Sequence, residues 1–150
     1  MTAIRSILAI LGGVLLLNFM DQTLERVLVQ ALADASPTDI PSYLAIRNRP
    51  LVLVFTLVTH GFAACLAGYM IARIAGVHEM RHAAAAAAFL TASYVWAFTM
   101  SDNPMLPPVW VRVVLLVLTA PALLAGASVR AQVRSIQSEP GGTVRPEERS

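Results

Sequence analysis

Five consecutive residues, His78-Glu79-Met80-Arg81-His82, have the types and spacing of a zinc site. On a helix, histidines four apart lie on one face and both can bind the metal, with the intervening glutamate as general base. Three features weigh against that chemistry. Arg81 sets a cation inside the motif, beside what would be a dication. A third ligand is missing, because Asp102 is expected at the opposite membrane face and Glu139, Glu147 and Glu148 fall in a polar tail. The string also occupies a short connection between two apolar stretches, where charged residues serve to fix topology. His78, Glu79 and His82 therefore define a zinc-enzyme alternative, with His78 and His82 as the candidate metal ligands. No catalytic residue and no cofactor are assigned.

His60 is the second candidate. It is the only Asp, Glu, Arg or His deep within an apolar stretch, and such residues are functional hypotheses by default. A proton, ligand or haem role competes with a structural hydrogen bond to Asn18, Thr56 or Thr91. Haem would need a second axial ligand, and His78 and His82 lie at the edge instead. Asn18 reads as an interhelical hydrogen bonder. Coupled ion transport would call for a buried carboxylate, and none is expected, since Asp21, Glu25, Glu79 and Asp102 fall at ends or in loops.

The elements that must position these residues are set by apolar content. The chain has 150 residues, 57% of them hydrophobic and 13% charged, against roughly 25% charged in a soluble domain. So few charges cannot coat a water-facing surface. The apolar residues are also segregated into runs near the roughly 20 needed per membrane-crossing helix, at about 4–20, 50–72, 83–100 and 109–128. The expected fold class is all-α, a four-helix transmembrane bundle over residues 1–135. Leu24, Val27, Leu28, Ala31 and Leu32 oppose Asp21, Glu25, Arg26 and Asp34, which predicts an amphipathic, interfacial helix over 21–35. Ser36-Pro37-Thr38-Asp39 ends it, Pro50 suits a first helical turn, and prolines at 104, 107 and 108 punctuate the last connection. Residues 136–150 read as a disordered cytoplasmic tail. A cleaved signal peptide ending near Ala33 fits poorly, because the interval after Met20 is too long for a cleavage region.

All 11 basic residues are Arg, a hint of a GC-rich bacterial genome. Their placement sets the orientation. With the N-terminus inside, Arg5, Arg73, Arg81, Arg130 and Arg134 flank the cytoplasmic ends, leaving Arg26, Arg47, Arg49 and Arg112 outside. Both termini are thus expected in the cytoplasm. Tyr43, Tyr94, Trp96 and Trp110 then form an outer aromatic belt, with Arg112 snorkelling towards headgroups or Asp102. Val129, Val133 and Ile136 with Arg130 and Arg134 form a short basic extension, drawn to an anionic leaflet by about 2 kcal/mol. Cys65 stands alone, so no intrachain disulfide forms, and no basic stripe with interleaved aromatics speaks for nucleic acid.

Helices in lipid associate through close packing of small residues. Gly61, Ala64, Cys65, Gly68 and Ala72 share one face of the second span. They can meet Gly12 and Gly13, the alanines at 83–88, or Ala122, Ala125 and Gly126, or else a second copy of the chain.

The strings Leu66-Ala67-Gly68-Tyr69-Met70-Ile71-Ala72-Arg73-Ile74-Ala75, Met80-Arg81-His82-Ala83, Pro108-Val109-Trp110 and Pro121-Ala122-Leu123-Leu124-Ala125-Gly126-Ala127 resemble a group of small four-span bacterial inner-membrane proteins with no assigned activity. The resemblance covers about residues 4–130. It implies the architecture and the inner membrane, and transfers no catalytic residue. The first loop here lacks the histidine that such relatives often carry. Sequence thus predicts a non-enzymatic accessory or interaction module, with the bilayer as partner and a homo-oligomer or larger complex as its setting. No small-molecule substrate is identified. The alternatives are a small oligomeric transporter or channel using His60 and Asn18, and the zinc enzyme.

Overall fold

The computed structural model describes residues 2–33, 37, 39–100 and 106–138. Those residues form five helices and no strand: α1 (Thr2–Ala31), α2 (Ile40–Arg47), α3 (Pro50–Ala75), α4 (Glu79–Met100) and α5 (Val109–Ser138). Three helices are long and apolar enough to cross a membrane, over Ile4–Ala31, Pro50–Ala75 and Val109–Gln137. α4, with 22 residues, is long enough to cross and rich in alanine. Apolar side chains cover the outward faces: Phe19 is 70% exposed and Val117 67%. Patches of that kind are costly in water and unremarkable against hydrocarbon.

Local chemistry sets the helix ends. Pro50 lies in the first turn of α3, and Gly76 ends it in the left-handed region at φ 71°, its N–H donating to Ala72 O at 3.1 Å. Glycine takes that conformation without steric cost. His78 follows at φ 50°, and the two left-handed residues reverse the chain into α4.

Cross-helix contacts fix the directions. Arg5 meets Ile74, and His60 meets Asp21, so α1 and α3 are antiparallel. His60 touches Thr119 and Gly76 touches Arg134, so α3 and α5 run parallel. Ser6 meets His82, placing the starts of α1 and α4 at one end. α3 lies at the centre, packed on α1, α4 and α5. The core is built from Leu17, Ala63, Ala64, Ala67, Ile71, Ala86, Ala87, Leu90 and Leu123. Alanine and glycine dominate because they let backbones approach. A Cβ on Gly68 would overlap the Leu123 backbone, and one on Gly126 the Cys65 backbone.

Three boundaries differ from the sequence reading. Residues 21–31 continue α1, which ends at Ala31, short of the expected 35. No breaker interrupts them, and their polar side chains find partners on α2 and α3. α5 continues to Ser138, past the expected start of the tail at 136. The remaining tail and the turn holding Asp102 lie outside the described residues. α2 was not foreseen. Asp39 caps it, accepting from Ser42 N at 2.8 Å, and Pro41 occupies its first turn; hydrogen bonds from the Ser42 hydroxyl and then its backbone N–H hold the Asp39 carboxyl below its usual range.

Replacing Gly68 or Gly126 by Val should force α3 and α5 apart, seen as a large drop in thermal midpoint and loss of a monodisperse detergent peak. Gly12 has nothing near its absent Cβ, so Gly12→Ala should hold or raise stability, by up to about 1 kcal/mol from helix propensity.

Candidate functional site

α1, α3 and α5 bring three polar side chains into one hydrogen-bonded line. His60 on α3 is 2% exposed. Its Nδ1 lies 2.7 Å from Asp21 Oδ2 on α1, and its Nε2 lies 2.8 Å from Thr119 Oγ1 on α5. Thr119 is fully buried, and its hydroxyl also lies 2.6 Å from Leu115 O, where it donates back along its own helix. A hydroxyl has one proton. While it goes to Leu115, Thr119 accepts from Nε2–H, and one further proton must lie between Nδ1 and Asp21. The pair is then imidazolium and carboxylate, neutral in sum. If that proton leaves, the Thr119 hydroxyl must swing to Nε2, with Nδ1–H donating to Asp21.

The partners of His60 are thus Asp21 and Thr119, not Asn18, Thr56 or Thr91. Asn18 is not an interhelical bonder either: its Nδ2 donates to Val14 O at 2.9 Å on its own helix. Of the acids expected at ends or in loops, Glu79 does start α4 but is buried there, 8% exposed, and Asp21 is partly buried, its side chain 27% exposed. Asn18, Asp21 and Glu25 recur at intervals of three and four, a polar stripe that could have announced an inward-facing α1.

Beside the line lies a cavity of about 160 Å³, lined in part by Asn18, Asp21, Thr56, Thr59, His60 and Tyr94. Tyr94 tilts against His60 with ring centroids 6.1 Å apart, and stacks on Phe98 at 5.6 Å. Arg47 and Glu25 stand between this cavity and an outer recess of about 350 Å³, lining both. Glu25 Oε1 accepts from Arg47 Nε at 3.1 Å and from the Tyr43 hydroxyl at 2.8 Å, fastening α2 to α1. Burial, then the Glu25 hydrogen bond and charge, push the Tyr43 phenol up to about 12.

Carboxylate, imidazole and hydroxyl in this order match the triad of nucleophilic hydrolases. The rest of that machinery does not follow. Thr119 is sealed from any substrate, and it sits mid-helix, where backbone N–H groups are engaged in the helix and unavailable as an oxyanion hole.

The other sequence candidates meet different fates. His78 precedes α4 in a left-handed turn, so it does not share a helical face with His82. The His82 ring is engaged at both nitrogens, Nδ1 with His78 O at 3.0 Å and Nε2 with Ser6 Oγ at 2.8 Å. Glu79 pairs with Arg134 at 3.1 Å. Among the described residues, no three of His, Cys, Asp and Glu gather as a metal site. The small-residue stripe packs inward: Gly61 faces Leu118, Gly68 faces Leu123, Ala64 and Ala72 are fully buried, and Cys65 abuts Gly126.

Fold and site together define a helical membrane protein with a buried polar site near one end of its packed helices. Comparison with protein-family models, curated proteins and solved structures yields no match.

His60→Ala should cost about 2 kcal/mol, since it strands Asp21 and Thr119; unfolding in mixed micelles measures it. Purified wild type and His78→Ala should carry the same negligible zinc by metal analysis. The folded-state value of Tyr43 lies above its ordinary 10.0, so its contribution is complete below pH 10 and lost as pH rises through about 12. The difference in phenolate absorbance between wild type and Tyr43→Phe should show that late titration.

Proposed function

We propose that the chain is a four-span protein of the bacterial inner membrane, α4 being the fourth crossing, with both termini cytoplasmic. It acts as a non-enzymatic accessory module whose working part is the His60 cavity at the extracytoplasmic end. The antiparallel order of the long helices supports an even number of crossings. Arg5, Arg73, Arg81, Arg130 and Arg134 fall at the end that holds the N-terminus and the end of α5, which supports the orientation.

The observation that carries the reading is a polar cavity that is backed by a packed apolar core. Its polar wall ends at His60, with Thr119 buried behind the ring. Beyond them, towards the arginine-rich end, the centre is filled by Ala64, Ala67, Ile71, Ala87 and Leu123, and by the glycine-mediated approach of α3 to α5. Among the described residues, the side chains that form this core are all apolar. Such a site receives a guest or a partner group and returns it to the same side. The transporter reading would need a second copy to supply the other half of a path, and the stripe best suited to join copies is occupied by α5.

Proteoliposomes holding the purified chain should pass protons, alkali cations and ammonium no faster than empty vesicles. A flux that disappears in His60→Ala would overturn this reading in favour of a transporter. Reporter fusions at the two ends should both signal cytoplasm; opposite signals would break the even count.

A further inference from the structure

We propose that the His60 cavity binds a small primary ammonium cation in exchange for one proton of the protonated His60–Asp21 pair. The inference rests on reading the cavity as a binding site backed by the apolar core.

The wall is rich in acceptors. Asn18 Nδ2 donates to Val14 O at 2.9 Å, Thr56 Oγ1 to Val52 O at 2.9 Å, and Thr59 Oγ1 to Phe55 O at 2.9 Å. Each threonine has turned its one hydroxyl proton onto its own helix and offers the cavity oxygen lone pairs, while Asn18 keeps its amide oxygen and one further N–H. Asp21 and Glu25 add carboxylate acceptors. The charged donor in the lining, Arg47, is turned to Glu25 at 3.1 Å, and the Gln22 amide and Tyr94 phenol are neutral. The stacked Tyr94 and Phe98 rings add π faces, which attract cations. A guest that fits such a wall donates several hydrogen bonds, carries positive charge and tolerates an aromatic neighbour. Size agrees: the cavity, about 160 Å³, has room for a cation as small as methylammonium.

The charge count explains the exchange. Among the described residues, α1 brings Asp21 and Glu25 to this level and Arg26 to the adjoining recess, α2 brings Tyr43 and Arg47, and α4 brings Tyr94. α3 and α5 bring His60 and the threonines, while Arg112 on α5 turns its Nε to Pro107 O at 2.6 Å on the rim. Glu25 is neutralised by Arg47. The protonated His60–Asp21 pair is neutral in sum, and a cation gains little there. Once its proton has left to water, His60 is neutral and the Asp21 charge is uncompensated. The Thr119 hydroxyl then turns from Leu115 O to Nε2, and the entering ammonium restores neutrality. One cation replaces one proton: one imidazolium N–H bond breaks, its electron pair stays on the ring nitrogen, and no other covalent bond changes.

The test is calorimetric titration of the full-length chain in detergent with methylammonium chloride, at pH 8 and pH 5.5, in two buffers of different ionisation heat. Sodium chloride, potassium chloride and sodium acetate serve as comparison probes. Saturable one-to-one binding is expected, with proton release and affinity at least tenfold weaker at pH 5.5, as competition with the proton requires. Asp21→Asn should abolish it. Thr59→Val, which leaves the His60–Asp21 pair in place, should weaken it about fivefold through one lost acceptor. The proposal is overturned by absence of saturable binding in natively eluting protein, or by binding without proton release. Equal affinity for potassium, preference for acetate, or unchanged affinity in both variants would overturn it too. Binding accompanied by flux in proteoliposomes would refute the accessory reading alone, and neither binding nor flux would refute this inference alone.

Discussion

A carboxylate and an imidazole 2.7 Å apart, at the edge of a low-dielectric interior, are the contact on which the arrangement depends. Each group alone would be expensive there, because an unpaired buried charge or donor forfeits its hydration. Together they are neutral in sum and hydrogen-bonded, and Thr119 satisfies the remaining ring nitrogen. The line joins three helices remote in sequence and fixes the rotation of α1 about its axis. It does so where α1 leaves the apolar zone and greasy packing alone would leave that rotation undetermined.

Packing supplies the complement. Below the polar line the helices are held by shape, through alanine faces and the two glycines that let α3 and α5 meet backbone to backbone. Lipid provides no apolar driving force between helices, so close approach and interhelical hydrogen bonds must do the work. The two ends then differ in kind. One carries the cavity, with carboxylates matched to His60 and Arg47. At the other, Arg5 Nε donates to Ile74 O at 2.6 Å and Arg134 to Gly76 O at 2.6 Å, so cations cover the carbonyls that end α3.

Much of this was legible in the residues. Apolar runs located the long helices, Pro50 gave the start of α3, and the glycine and alanine stripe marked a packing face. The site was legible only as His60. Its principal partner lies 39 positions away in sequence, on a stretch whose acids looked like a solvated face. Thr119 was hidden within an apolar run, where a hydroxyl that bonds its own helix leaves no periodic signal. The zinc motif's spacing argument presumes a helix through both histidines, and the left-handed turn at His78 removes that premise. α2 was missed because eight residues between prolines show little periodicity, although Asp39 followed by Pro41 is a helix-start pattern.

The parallel pairing of α3 with α5 bears on the order of assembly. These two helices share the most extensive contact between elements, yet α4 separates them in the chain. During insertion from the N-terminus, α3 must wait in the bilayer with its glycine face uncovered and Thr119 not yet delivered to His60. The half-built protein therefore exposes both an adhesive seam and an incompletely bonded imidazole until the last helix arrives. That interval is when an insertion chaperone, or a premature neighbour, has the most to hold.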